Sequence, residues 1–245
     1  MIPYVRQEKI IEILANKELI KIEELQKFIP EVSISTLRRD LKELENVNKV
    51  QILSGGAVKI CSSVSELPMA TKSSLQTKEK HYIAELAARE VSVGETIYLD
   101  SGSTCTVLLK ELLKKDIRII TTNTDVLRLT GNFDAEITIL GGTYDPKISS
   151  LSGPLTEANI KKYVFDKAFL GANGIDLKFG VTTPNLVEAT KKKTVIDYTK
   201  EAFLLCDSSK FHKTSAVKSF DLNEVVLITD KLDSELSKKM KIIAK

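Results

Sequence analysis

In the first quarter of the chain the apolar positions recur at helical spacing. Ile10, Ile11, Ile13 and Leu14 predict a helix over Glu8–Leu14, and Ile22–Phe28 predicts a second, short helix that Pro30 keeps from continuing. The turn through Glu31 and Val32 delivers Ser33, whose hydroxyl is suited to cap a third helix. In that helix Leu37, Leu41, Leu44 and Val47 share one side and face a core. Val50–Leu53 and Ala57–Ile60 flank the turn Ser54-Gly55-Gly56 and read as a hairpin. Helix, helix, turn, helix and hairpin within residues 1–60 predict a winged helix-turn-helix domain.

The polar side of the third helix carries the chemistry. At about 100° per residue, Ser35, Arg38, Arg39 and Lys42 lie opposite the leucines. Ser33 and Thr36 add hydroxyls at a helix N-terminus, the end that favours phosphate oxygens. Arg suits guanine edges and phosphates, and Ser and Thr suit either. Arg-Arg-Asp on a helix is by itself more often a solvated face; its place after two helices and a turn is what points to double-stranded DNA. Asp40, acidic beside DNA, reads as the partner of a nearby Arg that fixes its direction.

Residues 61–76 are rich in Ser, contain Pro68 and lack periodicity, so they read as a linker that lets the first domain move relative to the second. From residue 77 to 245 the pattern changes. After a helix over Lys78–Val91, short apolar runs at Thr96–Leu99, Ile117–Thr121, Ile137–Leu140, Lys167–Leu170, Ala202–Cys206 and Val225–Thr229 predict strands. Between and after them, helices are predicted at Ser103–Lys114, around Asp125–Leu129, and at Leu155–Tyr163, Leu186–Thr199 and Asp233–Met240. This alternation predicts an α/β domain with a mainly parallel sheet, in which ligands bind at the carboxyl ends of the strands.

Those ends are lined with small and hydroxylic residues. Asp100-Ser101-Gly102-Ser103-Thr104 follows the first strand and opens a helix, as a phosphate cradle would. It is not a Walker loop, for no Gly-Lys-Ser/Thr follows; a capped turn without a ligand is the plain alternative. Thr122 and Asn123 end the second strand, Gly141 and Gly142 the third, Gly171 and Ala172 the fourth, and Asp207 to Lys210 the fifth. Lys210 either meets a phosphate or sugar hydroxyl or is a surface charge. Glu188 and Lys191 either face the pocket mouth or form a pair on a helix surface.

Composition narrows the field. The chain has 245 residues, 42% of them hydrophobic and 28% charged, which suits a small module plus a larger globular domain. Residues 1–60 hold ten Lys or Arg against nine Asp or Glu. A DNA function therefore rests on the placement of Arg38, Arg39 and Lys42 rather than on bulk charge, and affinity is expected to need two copies. Cys61, Cys105 and Cys206 are odd in number and lack metal-ligand spacing; with only His81 and His212 no multi-histidine metal site is expected. No run reaches membrane length and no signal peptide is read at Met1–Tyr4, so a reduced, cytoplasmic protein without cofactor, metal or membrane partner is expected. With no Trp and 6% aromatics, RNA binding through stacking has no support.

The run Ser33, Thr36, Arg38, Arg39, Asp40, Leu41 resembles the recognition helix of DeoR-family bacterial transcriptional regulators, and Gly55, Gly56 and Ala57 resemble that family's wing. The basic residues usual before those glycines are replaced here by Gln51, Ile52, Leu53 and Ser54. Further matches are Asp100 to Thr104, Thr122-Asn123, Gly141-Gly142, Gly153-Pro154, Asp166 to Phe169 and Asp207 to Phe211, in order along nearly the whole chain. The resemblance implies a sensor domain similar in fold to ribose-5-phosphate isomerase and CoA transferases. It further implies a homo-oligomeric regulator of sugar-catabolism genes, commonly a repressor, tuned by a phosphorylated sugar. The alternative is a sugar-phosphate isomerase-like enzyme with Asp100, Asp207, Glu188 or Lys210 as acid or base. The helix-turn-helix, for which an isomerase has no use, favours a regulator with no catalytic residues.

Overall fold

A computed structural model describes residues 2–15, 17, 19–46, 49–60 and 69–244 of the chain. It divides into two compact units, Met1–Leu67 and Pro68–Lys245.

The first unit runs α1 (Pro3–Ala15), β1 (Ile20–Lys21), α2 (Ile22–Phe28), α3 (Ile34–Asn46), β2 (Val50–Ile52) and β3 (Ala57–Ile60). Ile10, Ile11 and Leu14 of α1, Leu25 of α2, and Leu37, Leu41 and Leu44 of α3 meet in one core with Ile20, Val50 and Val58. Val47, expected on the same face, lies outside the described residues. The hairpin gains a third strand that the sequence pattern does not reveal: β1 pairs antiparallel with β3, giving the order β1-β3-β2. Gly55 and Gly56 turn the hairpin at φ +84° and +76°, a region open to glycine. The Gly56 carbonyl accepts from Ile22 N at 3.1 Å, which ties the wing to the start of α2.

The second unit opens with α4 (Met69–Ser74) and α5 (Thr77–Arg89). Residues 61–68 of the expected linker lie outside the described residues, but 69–74 are helical. Met69 and Thr71 are buried, and Met69 N donates to Lys147 O at 2.7 Å, so tertiary contacts order a stretch with little helical signal of its own. There follow β4 (Thr96–Leu99), α6 (Ser103–Leu112), β5 (Arg118–Thr121), β6 (Glu136–Ile139), β7 (Thr143–Asp145), β8 (Ser150–Ser152), α7 (Pro154–Ile160) and β9 (Phe165–Gly171). The rest is β10 (Gly174–Asp176), β11 (Gly180–Thr183), α8 (Leu186–Asp197), β12 (Thr199–Leu205), β13 (Val217–Phe220), β14 (Val226–Ile228) and β15 (Ile242–Ile243). Two predicted helices shrink to 3₁₀ turns, Thr124–Arg128 and Leu236–Lys238. In the second case the Asp233 carboxylate accepts from the backbone N–H groups of Glu235 and Leu236, which favours a turn over a continued helix.

Seven strands form one parallel sheet in the order β15-β14-β12-β9-β4-β5-β6. Both faces are buried, and successive residues alternate between them. Ile97, Leu99, Ile119, Phe169, Phe203 and Leu205 pack with α5 and α6 residues such as Ile83, Leu108 and Leu109. Tyr98, Ile120, Ala168, Leu170 and Leu204 face the other way, with Ile160 of α7 and Val195 of α8. A three-stranded antiparallel sheet, β10-β11-β13, and the hairpin β7-β8 complete the unit. The chain runs outward from β4 to β6 and then returns to place β9 on the other side of β4. The carboxyl ends of β4 and β9 therefore flank the point where the winding reverses, the usual place for a ligand in such sheets.

Candidate functional site

The outward face of α3 follows from its amphipathic pattern. Ser33 caps the helix by accepting from Thr36 N at 3.2 Å, and its Oγ shares hydrogen bonds with Ser35 Oγ and Thr36 Oγ1, both at 2.9 Å. Ser35, Arg38, Arg39 and Lys42 are exposed, as the sequence pattern requires, and Gly55 is exposed at the hairpin tip. Lys42 Nζ lies 3.2 Å from Glu45 Oε2, while Glu45 Oε1 accepts from Ile52 N at 2.9 Å and so joins α3 to the hairpin. Asp40 does meet an arginine, but from another helix: Arg6 of α1 donates to both carboxylate oxygens, through Nε to Oδ2 and through Nη2 to Oδ1 at 2.8 Å. Arg6 and Asp40 are both buried. This ion pair locks α3 against α1 and fixes which side of α3 faces out.

In the second unit the strand ends converge on a buried polar cluster. Asp100, at the end of β4, is fully buried. Its Oδ2 accepts from Lys192 Nζ and from Gly171 N, the latter at 3.3 Å across the β4–β9 boundary. Its Oδ1 lies 3.6 Å from Lys191 Nζ and, among the described residues, accepts no hydrogen bond. Burial pushes the Asp100 carboxyl up, yet the charges of Lys192 and Lys191 outweigh it and hold the group below the ordinary carboxylate range. Lys191 donates to Ser150 Oγ at 2.7 Å and Glu188 Oε1 at 2.9 Å, with Thr122 Oγ1 and Ser101 Oγ at 3.3 and 3.4 Å. Ser150 Oγ in turn donates to Glu188 Oε1 at 3.0 Å, and Tyr98 OH bonds with Thr122 Oγ1 at 2.9 Å. Glu188 and Lys191 are thus neither a surface pair nor at a mouth; they are interior, because α8 turns that face onto the strand ends.

The cradle after β4 begins at Gly102, whose φ of +136° suits glycine alone. Gly102 supplies no side-chain cap to α6, and the side chains of Ser103 and Thr104 are buried at the start of that helix. Asn123 is also buried: it caps the following turn, accepting from Asp125 N at 3.0 Å, and donates to Thr106 Oγ1 at 2.8 Å. Gly141 and Gly142 have a different part. A Cβ on Gly142 would stand 1.9 Å from Thr156 Oγ1 and 2.7 Å from Ser152 O, so the space that this glycine leaves is filled by the chain itself. Gly171 and Ala172 close the β9 end, with Ala172 buried. At β12, Asp207 caps the turn Ser208–Lys210, and its Oδ2 lies 3.6 Å from Lys210 Nζ. Burial opposes the charge of Asp207, but Lys210 and Ser209 more than compensate and lower its pKa.

Sequence reasoning overlooked Lys80, Ser150 and Lys192. Lys80 falls in line with Ile83, Ala84 and Ala87 on the buried stripe of α5, so a charged residue at an apolar position was the available signal. Lys192 sits in a Lys-Lys-Lys run that looks like a solvated face, and Ser150 has no local pattern at all.

The family model for the DeoR C-terminal sensor domain matches residues 75–231, and that for the DeoR-like helix-turn-helix domain matches residues 6–63. The chain is 32% identical over 232 residues to the HTH-type transcriptional regulator GlpR of Haloferax volcanii, covering 94% of this chain and 91% of that protein. It is 32% identical over 240 residues to the lactose phosphotransferase system repressor of Streptococcus mutans, covering 96% and 95%. Among solved structures, ribose 5-phosphate isomerase A of Methanocaldococcus jannaschii is 21% identical with a TM-score of 0.41, over 56% of this chain and 55% of that one, a likeness too low to bear on function. Among the described residues no helix is long and apolar enough to cross a membrane. With residues 6–63 and 75–231 matched by the two domain models, the chain belongs to the DeoR family of helix-turn-helix transcriptional regulators.

Proposed function

We propose that this regulator represses sugar-catabolism genes, and that a phosphorylated sugar bound at the strand ends of its sensor domain releases it from its operator. The supporting observation is the lysine-rich cluster. Lys191 and Lys192 meet at Asp100, just before a helix N-terminus that has no side-chain cap, and Lys210 joins them in acting on Cys105 of that helix, at the reversal point of a parallel sheet. Such a place suits a phosphate, and the Asp100, Ser101 and Thr122 oxygens nearby suit sugar hydroxyls. The printed name of the Streptococcus mutans relative, a repressor of a lactose phosphotransferase system, supports the link to sugar.

The domains are proposed as 1–60 for DNA binding and 77–245 for the sensor. Ser33, Ser35, Thr36, Arg38, Arg39 and Lys42 would face the major groove, with Gly55 and Gly56 forming the wing tip. Two copies at least would bind a repeated or palindromic operator, because the nearly balanced charge of residues 1–60 gives one copy little pull on DNA. By linkage, operator DNA changes effector affinity by the same factor as effector changes operator affinity. An isomerase reading is less well supported. A general base must be free to take a C–H proton, whereas Asp100, Glu188 and Asp207 are each paired with lysine.

The test is fluorescence anisotropy with the DNA upstream of the chain's own operon, against random competitor, with and without a panel of sugar phosphates. Specific binding weakened by one phosphate and not by its unphosphorylated sugar is expected. In the double variant Ser103→Ala/Thr104→Ala the DNA should still bind and the response should need at least tenfold more effector. A double variant that responds at the same concentration would place the anion elsewhere.

A further inference from the structure

Lys80 is the buried lysine of the sensor unit that the site described so far does not use. It sits on α5, nearly inaccessible to solvent, and its amine donates to the backbone carbonyls of Lys72 and Leu75. Those carbonyls belong to the end of α4 and the turn behind it, where the chain enters the sensor unit. An ammonium has three N–H donors; two are thereby spent and one remains. Among the described residues no carboxylate lies within ion-pair distance of Lys80, unlike Lys191, Lys192 and Lys210. Lys210 and Asp207 are near enough for their charges to act on it. Desolvation, helped by Lys210, brings its pKa down to about 8, and the more distant charges of Asp207 and Glu79 only partly oppose this. Asp100 Oδ1, buried without a hydrogen bond, is an open acceptor that would suit a hydroxyl of the same ligand, not its anionic group.

We propose that Lys80 is a further ligand of the anionic group bound at the strand ends, and that the anion, by supplying the missing counter-charge, tightens the amine's hold on Lys72 and Leu75 and so orders the end of α4. This rests on the proposed effector site and goes beyond it. One side chain touches both the anion and the first described segment of the sensor unit, so occupancy is read at the end of α4. The ligand class follows from the charge: a phosphate monoester, whose dianion can be shared by Lys80, Lys210 and the start of α6.

The experiment is amide hydrogen exchange on the full chain, in four conditions: no addition, inorganic phosphate, a panel of hexose and triose monophosphates, and the matching free sugars. The expected result is slower exchange at residues 101–106 and also at 69–80, with phosphate esters only. Lys80→Met should weaken the effective ester about tenfold and, at saturating ester, lose the protection at 69–76 while keeping that at 101–106. Lys80→Arg should restore most of both effects. Protection at 101–106 without any at 69–76 in the unsubstituted chain, or unaltered affinity in Lys80→Met, overturns the role of Lys80 and leaves the effector site standing. Protection by no phosphate ester at either segment overturns the effector site and the role of Lys80 together. Because the unsubstituted chain carries the first comparison, a Lys80→Met chain that fails to fold does not shelter the proposal.

Discussion

Removing Asp40 should destabilise the DNA-binding unit while leaving the sensor unit intact. Arg6 and Asp40 are buried, at 6% and 1% exposure, and two charged hydrogen bonds join them. Asp40→Ala takes from the buried Arg6 guanidinium the carboxylate that both of those bonds reach. Breaking one side of a buried pair costs about 3–5 kcal/mol. In so small a module water is close at hand, so the lower end, about 3 kcal/mol, is expected. A unit of this size has a total stability of roughly 3–10 kcal/mol at ~0.05–0.15 kcal/mol per residue. The single change therefore removes about three-tenths of it or more. Calorimetry of the full chain should show two transitions, of which only the one assigned to the first unit moves, and amide exchange at residues 10–14 and 41–44 should accelerate with it. The control is the double variant Arg6→Met/Asp40→Leu, which replaces the pair with apolar contacts and should recover most of the loss. A shift below about 1 kcal/mol for Asp40→Ala would refute the reasoning, since surface ion pairs are worth that little. So would a double variant no more stable than the single one.

Arg38→Ala and Arg39→Ala should each weaken operator binding by about 1–3 kcal/mol for a base contact, while a change that lowers affinity equally for random DNA would mark a phosphate contact; if neither loses affinity, α3 does not read the operator. Gly142→Ala should destabilise the sensor unit by about 1–3 kcal/mol, because its Cβ meets Ser152 O and Thr156 Oγ1; an unchanged melting temperature would show that the β7–β8 hairpin yields without loss. Asp166 accepts from Lys200 Nζ at 2.7 Å and from Thr96 N at 2.9 Å, which lowers its pKa. A group with a depressed folded pKa stabilises above its unfolded value and loses that contribution as pH falls through the folded one. The melting difference between the unsubstituted chain and Asp166→Asn should thus hold steady above about pH 5 and shrink below about pH 4; a difference that grows on acidification would contradict the assignment.

Much of this architecture is legible in the sequence where local pattern and burial agree. Leu37, Leu41 and Leu44 mark the inner side of α3 because a surface helix has one apolar stripe, and the central strands show as short apolar runs because both faces of the sheet are covered. The rest depends on partners far away in the chain. The strands Gly174–Asp176, Gly180–Thr183 and Val217–Phe220 are three or four residues long and polar in part, and β11 finds β13 only across α8 and β12. In the candidate site, the glycines and hydroxyls directly at the strand ends announce themselves, whereas Ser150 has no local pattern and Lys192 looks like a solvent charge until tertiary packing buries it against Asp100. Gly142 shows the reverse error: a small residue at a strand end suggests room for a ligand, but a neighbouring segment occupies it.

The pairing of β4 with β9 has a consequence for how the molecule is made. Ile97 and Lys167 are register partners at the centre of the sheet, and the edge strand Ile242–Ile243 lies at the far end of the chain. The sheet cannot close until residues 242–243 have been made, while the described core of the first unit is drawn from residues 10–58. At ribosomal speeds of ~5–20 residues per second, the DNA-binding unit is complete about 10–40 s before the sensor. Each new copy therefore passes through a period in which its DNA-reading half is folded and the half that answers to effector is not. Only once β15 has joined the sheet is it a molecule whose grip on DNA can be switched.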